Sequence, residues 1–129
     1  MSKKAVPKII KKVGFDFHWN EEKVWALKIP VENINISKLE WHFEIPFLNT
    51  SKGFYDLTPN QVLNNPGKHK KEYKRTIKAN LKHPIDIMPN KGKWLILDGL
   101  HRLMKAKLLG IKNVKVRKIP RPMIPKIQF

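Results

Sequence analysis

Apolar and polar positions alternate most legibly between Trp94 and Ile119. Trp94-Leu-Ile-Leu97 is a short apolar run of strand-forming type, broken by Asp98-Gly99. Leu100 to Leu109 contains no Gly or Pro and is rich in Leu, Met, Ala and Lys, which predicts a helix ended by Gly110. Val114 and Val116 then alternate with Lys115 and Arg117, a strand with one wet face. The unit reads strand, acidic-glycine turn, helix, strand.

The same reading extends to both sides. Val13, Phe15, Phe17 and Trp19 alternate with polar residues, Asn20 to Lys23 reads as a turn, and Trp25, Leu27 and Ile29 alternate again. Residues 13–29 are therefore predicted as a β-hairpin. Pro30 to Phe47 is read as a strand end and a short helix, with Trp41 to Ile45 a strand or a loop on the core. Thr58-Pro59-Asn60-Gln61 is a capping box with Pro at the first helical position. A second helix is predicted from His69 to Lys82, with Tyr73, Ile77 and Leu81 inside and Lys71, Lys74, Arg75, Lys78 and Lys82 gathered opposite. Ile85 to Met88 is a strand, and Asn90-Lys-Gly-Lys93 turns it back to Trp94.

Composition narrows the function. The chain has 129 residues, enough for one domain, and a net charge of +17. Residues 1–12 carry five Lys and no acid, residues 120–129 carry Arg121 and Lys126, and +10 remains on the body without them. The expected organisation is a basic flexible tail (1–12), one domain (13–119) and a Pro-rich extended tail (120–129). Such a charge favours polyanionic partners, nucleic acid first and nucleotide or acidic surface second. A solvated basic surface without a partner is the bland alternative. There is no Cys, so disulfides and thiol chemistry are excluded. No apolar run approaches membrane-spanning length, so a cytoplasmic protein without a membrane partner is expected. The five His (18, 42, 69, 83 and 101) form no zinc-ligand spacing.

The turn at Asp98 is where chemistry is expected. Asp98 can cap the helix, Gly99 allows close approach, and the first helical N–H groups favour an anion. His101 and Arg102 project from that first turn, with Lys105 one turn on, a grouping suited to phosphate. A plain strand–helix junction with solvated basic residues is the alternative. Glu32, Glu40 and Glu44 are further candidate carboxylates, with surface acids as the plainer reading.

Leu97-Asp-Gly-Leu-His-Arg-Leu-Met-Lys-Ala-Lys-Leu-Leu-Gly110, followed by Asn113-Val-Lys-Val-Arg117, resembles the signature of the ParB/sulfiredoxin-like superfamily. Leu81 to Ile87 is similar to the family's preceding strand, and Ile29-Pro-Val31 to its opening one. The resemblance implies an α+β fold with a small mixed sheet and about three helices. It also implies a nucleoside triphosphate, CTP or ATP, at the turn, with Mg²⁺ as companion ion. Asp98, Gly99, His101, Arg102 and Lys105 would form the nucleotide site, and Asp98 and His101 would carry any catalysis. The position of the sulfiredoxin cysteine is Leu100 here, which excludes sulfur chemistry. Only ten residues follow Ile119, so the further domains of the partition proteins are not expected. Three readings stay open: a nucleotide- or phosphate-binding protein acting near nucleic acid, a phosphotransferase or nuclease using Asp98, and a non-enzymatic DNA- or RNA-binding module contacting Lys71, Lys74, Arg75, Lys78 and Lys82.

Overall fold

The hairpin expected around Asn90 to Lys93 lies at one edge of the sheet. In the computed structural model, which describes residues 8–14 and 17–129, β2 (Ile85–Asn90) and β3 (Lys93–Asp98) pair antiparallel. Lys91 and Gly92 connect them with φ of 51° and 78°, the left-handed pair that a two-residue hairpin turn needs. After Asp98 the chain crosses back through α5 (Leu100–Leu108) to β4 (Asn113–Lys118), which lies parallel to β2. β1 (Val31–Asn35) pairs antiparallel with β4, so the strand order is β1-β4-β2-β3. The fold is α+β with a mixed four-stranded sheet.

Period-two alternation sends neighbouring side chains to opposite faces of that sheet. Ile87, Ile85 and Val116 join one core with Leu39, Phe43, Leu57, Val62, Leu103 and Met104. Met88, Leu97 and Ile119 join a second with Val24 and Ile127. α3 (Pro59–Asn64), α4 (Lys70–Lys78) and α5 cover the first face. The capping box is formed as expected: Thr58 accepts from Gln61 N, and the Gln61 side chain accepts from Thr58 N. Trp41 to Ile45 is neither of the forms expected. Glu40–Glu44 is a short 3-10 helix that buries His42 and Phe43.

Both ends depart from expectation. The hairpin at 13–29 does not form. α1 (Lys8–Val13) and α2 (Glu21–Ala26) occupy its place, and Phe15 and Asp16 lie outside the described residues. Asn20 is an N-cap, its side chain accepting from Lys23 N at 3.1 Å, with Glu21 and Glu22 favoured by the dipole of the first turn. The apolar residues are inward nevertheless, since Phe17, Trp19, Leu27 and Ile29 pack on the second core. Of the expected basic tail, residues 8–12 are helical with Ile10 buried, and residues 1–7 lie outside the described part. The expected C-terminal extended tail folds as well. Arg121–Met123 is a 3-10 turn and α6 (Ile124–Ile127) buries Ile127 fully. Three short helices thus join the three expected. Among the described residues no helix is long and apolar enough to cross a membrane.

His42 is the core's one buried titratable ring among the described residues, 1% exposed. Its Nδ1 lies 2.8 Å from Leu39 O and its Nε2 accepts from Ile96 N at 3.1 Å, so Nδ1 carries the single proton. Burial, aided by Lys93 and opposed by the Leu39 bond, lowers its pKa from 6.5 to about 4. A depressed histidine stabilises the fold above the unfolded value and loses that contribution as pH falls towards the folded one. About 2–3 kcal/mol should therefore vanish between pH 6.5 and about 4. Urea melts of wild type and His42→Gln across that window check this, and parallel curves would contradict it.

Candidate functional site

The Asp98–Arg102 turn is built by Gly99, at φ 114° and ψ 19°. Its missing Cβ leaves room for Ile85, whose Cα would be 3.2 Å from one. Gly99 is itself the N-cap of α5, and among the described residues no side chain caps the helix. Asp98 was expected in that role but is used elsewhere. Its Oδ2 accepts from Trp25 Nε1 at 2.7 Å and from Arg102 at 3.5 Å. Among the described residues the first N–H groups of this nine-residue helix therefore meet no side-chain acceptor.

Arg102 follows the strand end as much as the turn. One of its amino groups donates to Pro84 O at 2.7 Å, and the other reaches Asp98. His101 Nε2 lies 2.7 Å from Glu72 Oε2, and the other oxygen of Glu72 accepts from Arg75 at 3.1 Å. Glu72 is 8% exposed, so α4 turns an acid, with Tyr73 and Thr76, towards α5. Ile77, expected inside, is 45% exposed. The buried stripe of α4 is thus rotated by roughly a quarter turn from Tyr73, Ile77 and Leu81. Lys105 is not at the rim of the turn. Its ammonium donates to Ile77 O and Ala79 O, each at 2.8 Å, and neutralises the C-terminal end of α4.

A second unforeseen residue completes the turn. Glu21, at the start of α2, has its carboxyl raised above the ordinary 4.5. Partial burial is the first cause, the charge of Asp98 and a hydrogen bond with it follow, and Arg102 and Arg75 oppose them. Glu21 and Asp98 are a carboxyl pair facing two guanidinium groups. Glu32, Glu40 and Glu44 are not part of this arrangement: Glu32 pairs with Lys118, Glu40 with Lys107, and Glu44 is exposed. Glu21 carried a sequence signal, since an acid directly after Asn20 marks a helix start. Glu72 is the one acid within α4, and only the packing reveals which way it faces.

Three cavities share Asp98 as wall, of about 490, 640 and 360 Å³. The first also exposes Trp25, Arg102 and the buried Asp86–Arg117 pair, the second Glu21 and His101. The third lies over Gly99 and is lined by Arg75, Lys78, His101 and Arg102, with Asp98 as its one acid among the described residues. The expected basic stripe is divided accordingly. Arg75 and Lys78 belong to the turn. Lys71 and Lys74 are exposed on α4, and Lys82 lies beyond the end of that helix.

Among the described residues no three His, Asp or Glu side chains converge as a metal cluster. The donors at the turn fit polyphosphate better: outward helical N–H groups, two guanidiniums, one lysine and one imidazole. A Mg²⁺ ion, which needs only one or two carboxylates beside phosphate oxygens and water, fits the Glu21–Asp98 pair. No family model, curated protein or solved structure matches the chain.

Proposed function

We propose that the chain binds the phosphate groups of a nucleotide at the Asp98–Arg102 turn, within a protein that works on or near nucleic acid. The observation that carries this is the cavity over Gly99, where the uncapped start of α5 meets Arg75, Lys78, His101 and Arg102. An anion there gains backbone N–H donors, the helix dipole and charge-assisted bonds together. The resemblance of Leu97 to Gly110 to the ParB/sulfiredoxin-like superfamily supports the same ligand, CTP or ATP. Asp98 and Glu21 would hold the companion Mg²⁺, which would screen the phosphate charge. The basic balance of the chain and exposed Lys71 and Lys74 support nucleic acid as the neighbour.

One observation favours turnover over binding alone. An acid faces Arg102 across the turn, and Glu21 has the raised carboxyl that a proton-transfer group needs. Phosphotransfer or phosphodiester cleavage, with Asp98 orienting the attacking hydroxyl and His101 steadied by Glu72, is therefore the second reading.

Calorimetry with CTP and ATP, with and without Mg²⁺, tests both. Arg102→Ala is expected to weaken triphosphate binding by about 2–3 kcal/mol, the scale of a bidentate charged contact in a partly buried site. Equal affinity for wild type and variant, at matched thermal stability, would remove phosphate from this turn. Glu21→Gln should weaken triphosphate binding only where Mg²⁺ is present and reduce any turnover by roughly 10²-fold. Phosphate release that does not respond to it would leave the binding reading alone.

A further inference from the structure

A second concave surface lies beside the turn, on the other side of Arg75. The loop from Leu48 to Leu57 is pinched at its base, where these two buried residues exchange backbone hydrogen bonds of 3.0 and 3.1 Å. Asp56 ties the loop internally, accepting from Thr50 N at 2.7 Å and from Thr50 Oγ1 at 2.6 Å. Between this loop and the start of α4 is a cleft of about 610 Å³, with Lys52, Lys68, Lys70, Lys71 and Arg75 along it. Its two acids are both engaged, Asp56 by Thr50 and Glu72 by His101 and Arg75. Five cations against these two acids leave the cleft positive, and its cations lie on two walls.

The loop tip carries aromatic surface. Phe54 is 53% exposed and Tyr55 36%. Tyr55 sits at φ 53°, a left-handed conformation that an aromatic residue seldom adopts, fixed by its N–H donating to Asn49 Oδ1 at 2.8 Å. Strain of this kind collects at sites of function. Tyr55 lines the neighbouring 640 Å³ cavity rather than the cleft, and Arg75 lines that cavity, the cleft and the cavity over Gly99. A positive track thus runs from Lys52 and Lys68, past Arg75, to the Asp98 turn.

We propose that this cleft and the cavity beside it bind single-stranded nucleic acid, with Lys68, Lys70 and Lys71 along the phosphates in the cleft and Tyr55 stacked on a base in the cavity. Basic groove and stacking ring together suit unpaired strands, because duplex bases already stack on one another and present no face. The site stands apart from the nucleotide reading and does not require it.

Fluorescence anisotropy with labelled oligothymidylate and oligouridylate of about 12 nucleotides, and a duplex of the same length, tests the proposal on the full chain. Single strands should bind more tightly than duplex, and a difference between the two oligomers would separate DNA from RNA. Lys68→Glu with Lys71→Glu should lower the salt slope by roughly 1.4, near 0.7 for each lost contact. Lys38→Glu with Lys112→Glu, the same charge change away from the cleft, should leave the slope unchanged. Tyr55→Asn tolerates the left-handed backbone, so its melting temperature should hold or rise while affinity falls about tenfold. Wild-type binding by Tyr55→Asn, or duplex bound as tightly as single strand, would overturn the proposal. So would displacement by polyglutamate at equal charge. Triphosphate titrations on the same variants keep the two sites distinguishable. If wild type binds strands but no triphosphate, the nucleotide reading fails and the cleft remains.

Discussion

Arg117→Met is expected to destabilise the fold by about 3–5 kcal/mol at neutral pH, because it strands a buried carboxylate. Arg117 Nε donates to Asp86 Oδ1 at 2.6 Å, and its two amino groups donate to Leu27 O and Val24 O at 2.7 and 2.8 Å. Asp86 is 2% exposed and Arg117 9%. One side chain therefore neutralises a charge between β2 and β4 and satisfies two carbonyls at the end of α2. Methionine keeps the aliphatic stem and removes all three bonds. Even with its partner, Asp86 has its pKa raised above 3.8, burial outweighing the two contributions of Arg117. Without Arg117 it should rise further.

The sign of the pH effect follows. An acid whose folded pKa is raised favours the fold when protonated, so its contribution falls as pH rises from 3.8 through the folded value. The deficit of Arg117→Met relative to wild type should therefore shrink on acidification. Asp86→Asn in the same chain should recover part of it at pH 7. Comparing the two proteins at each pH removes the His42 effect, which is common to both. Chemical melts over that range are the measurement, and a deficit independent of pH would show that the stranded charge is not its source.

Gly99→Ala is expected to cost about 2–4 kcal/mol and to weaken triphosphate binding by at least roughly tenfold. A φ of 114° lies outside the region open to alanine, and the new Cβ would meet Ile85 Cα at 3.2 Å and an Arg102 amino group at 3.1 Å. Ile85 is sheet backbone and cannot retreat, so the start of α5 must move. The outward N–H groups and Arg102 move with it. Ala at Gly67, where nothing lies within 4 Å, is the neutral comparison. If Gly99→Ala binds CTP or ATP as wild type does, the ligand does not depend on the turn.

The stretch from Ile85 to Lys118 was readable because each signal there is local: an apolar run, a Lys-Gly turn, an Asp-Gly break, a helix closed by Gly110. The capping box at Thr58 and Gln61 is local as well. The N-terminal third misled for the opposite reason. Phe17 and Trp19 alternate with polar residues because they border the second core, and no strand follows from that. Trp25 continued the pattern by accident. It is 54% exposed, and its indole is committed to Asp98, more than seventy residues away in sequence. Of the site, Asp98, Gly99, His101 and Arg102 could be found from their spacing. Arg75 was legible only as part of a basic helix face and Glu21 only as a helix start, and Glu72 not at all, because all three reach the turn through packing of α2 and α4. Lys105 shows the converse, a residue correctly spaced on the helix whose charge the neighbouring helix end consumes.

The clasp between α2 and α6 also sets an order of events. Asn20 N donates to Ile127 O at 2.7 Å and Lys23 Nζ to Gln128 O at 2.6 Å, while Trp19 bridges to Gln128. These contacts join segments separated by about a hundred residues, and closing so long a loop comes late in folding. A six-residue α2 is too short to persist alone. On the growing chain, α2 can meet β4 through Arg117 first, but its clasp to α6 closes only once Ile127 has been made. The Glu21 side of the turn is therefore fastened last, against the Asp98 and Arg102 that β3 and α5 already carry.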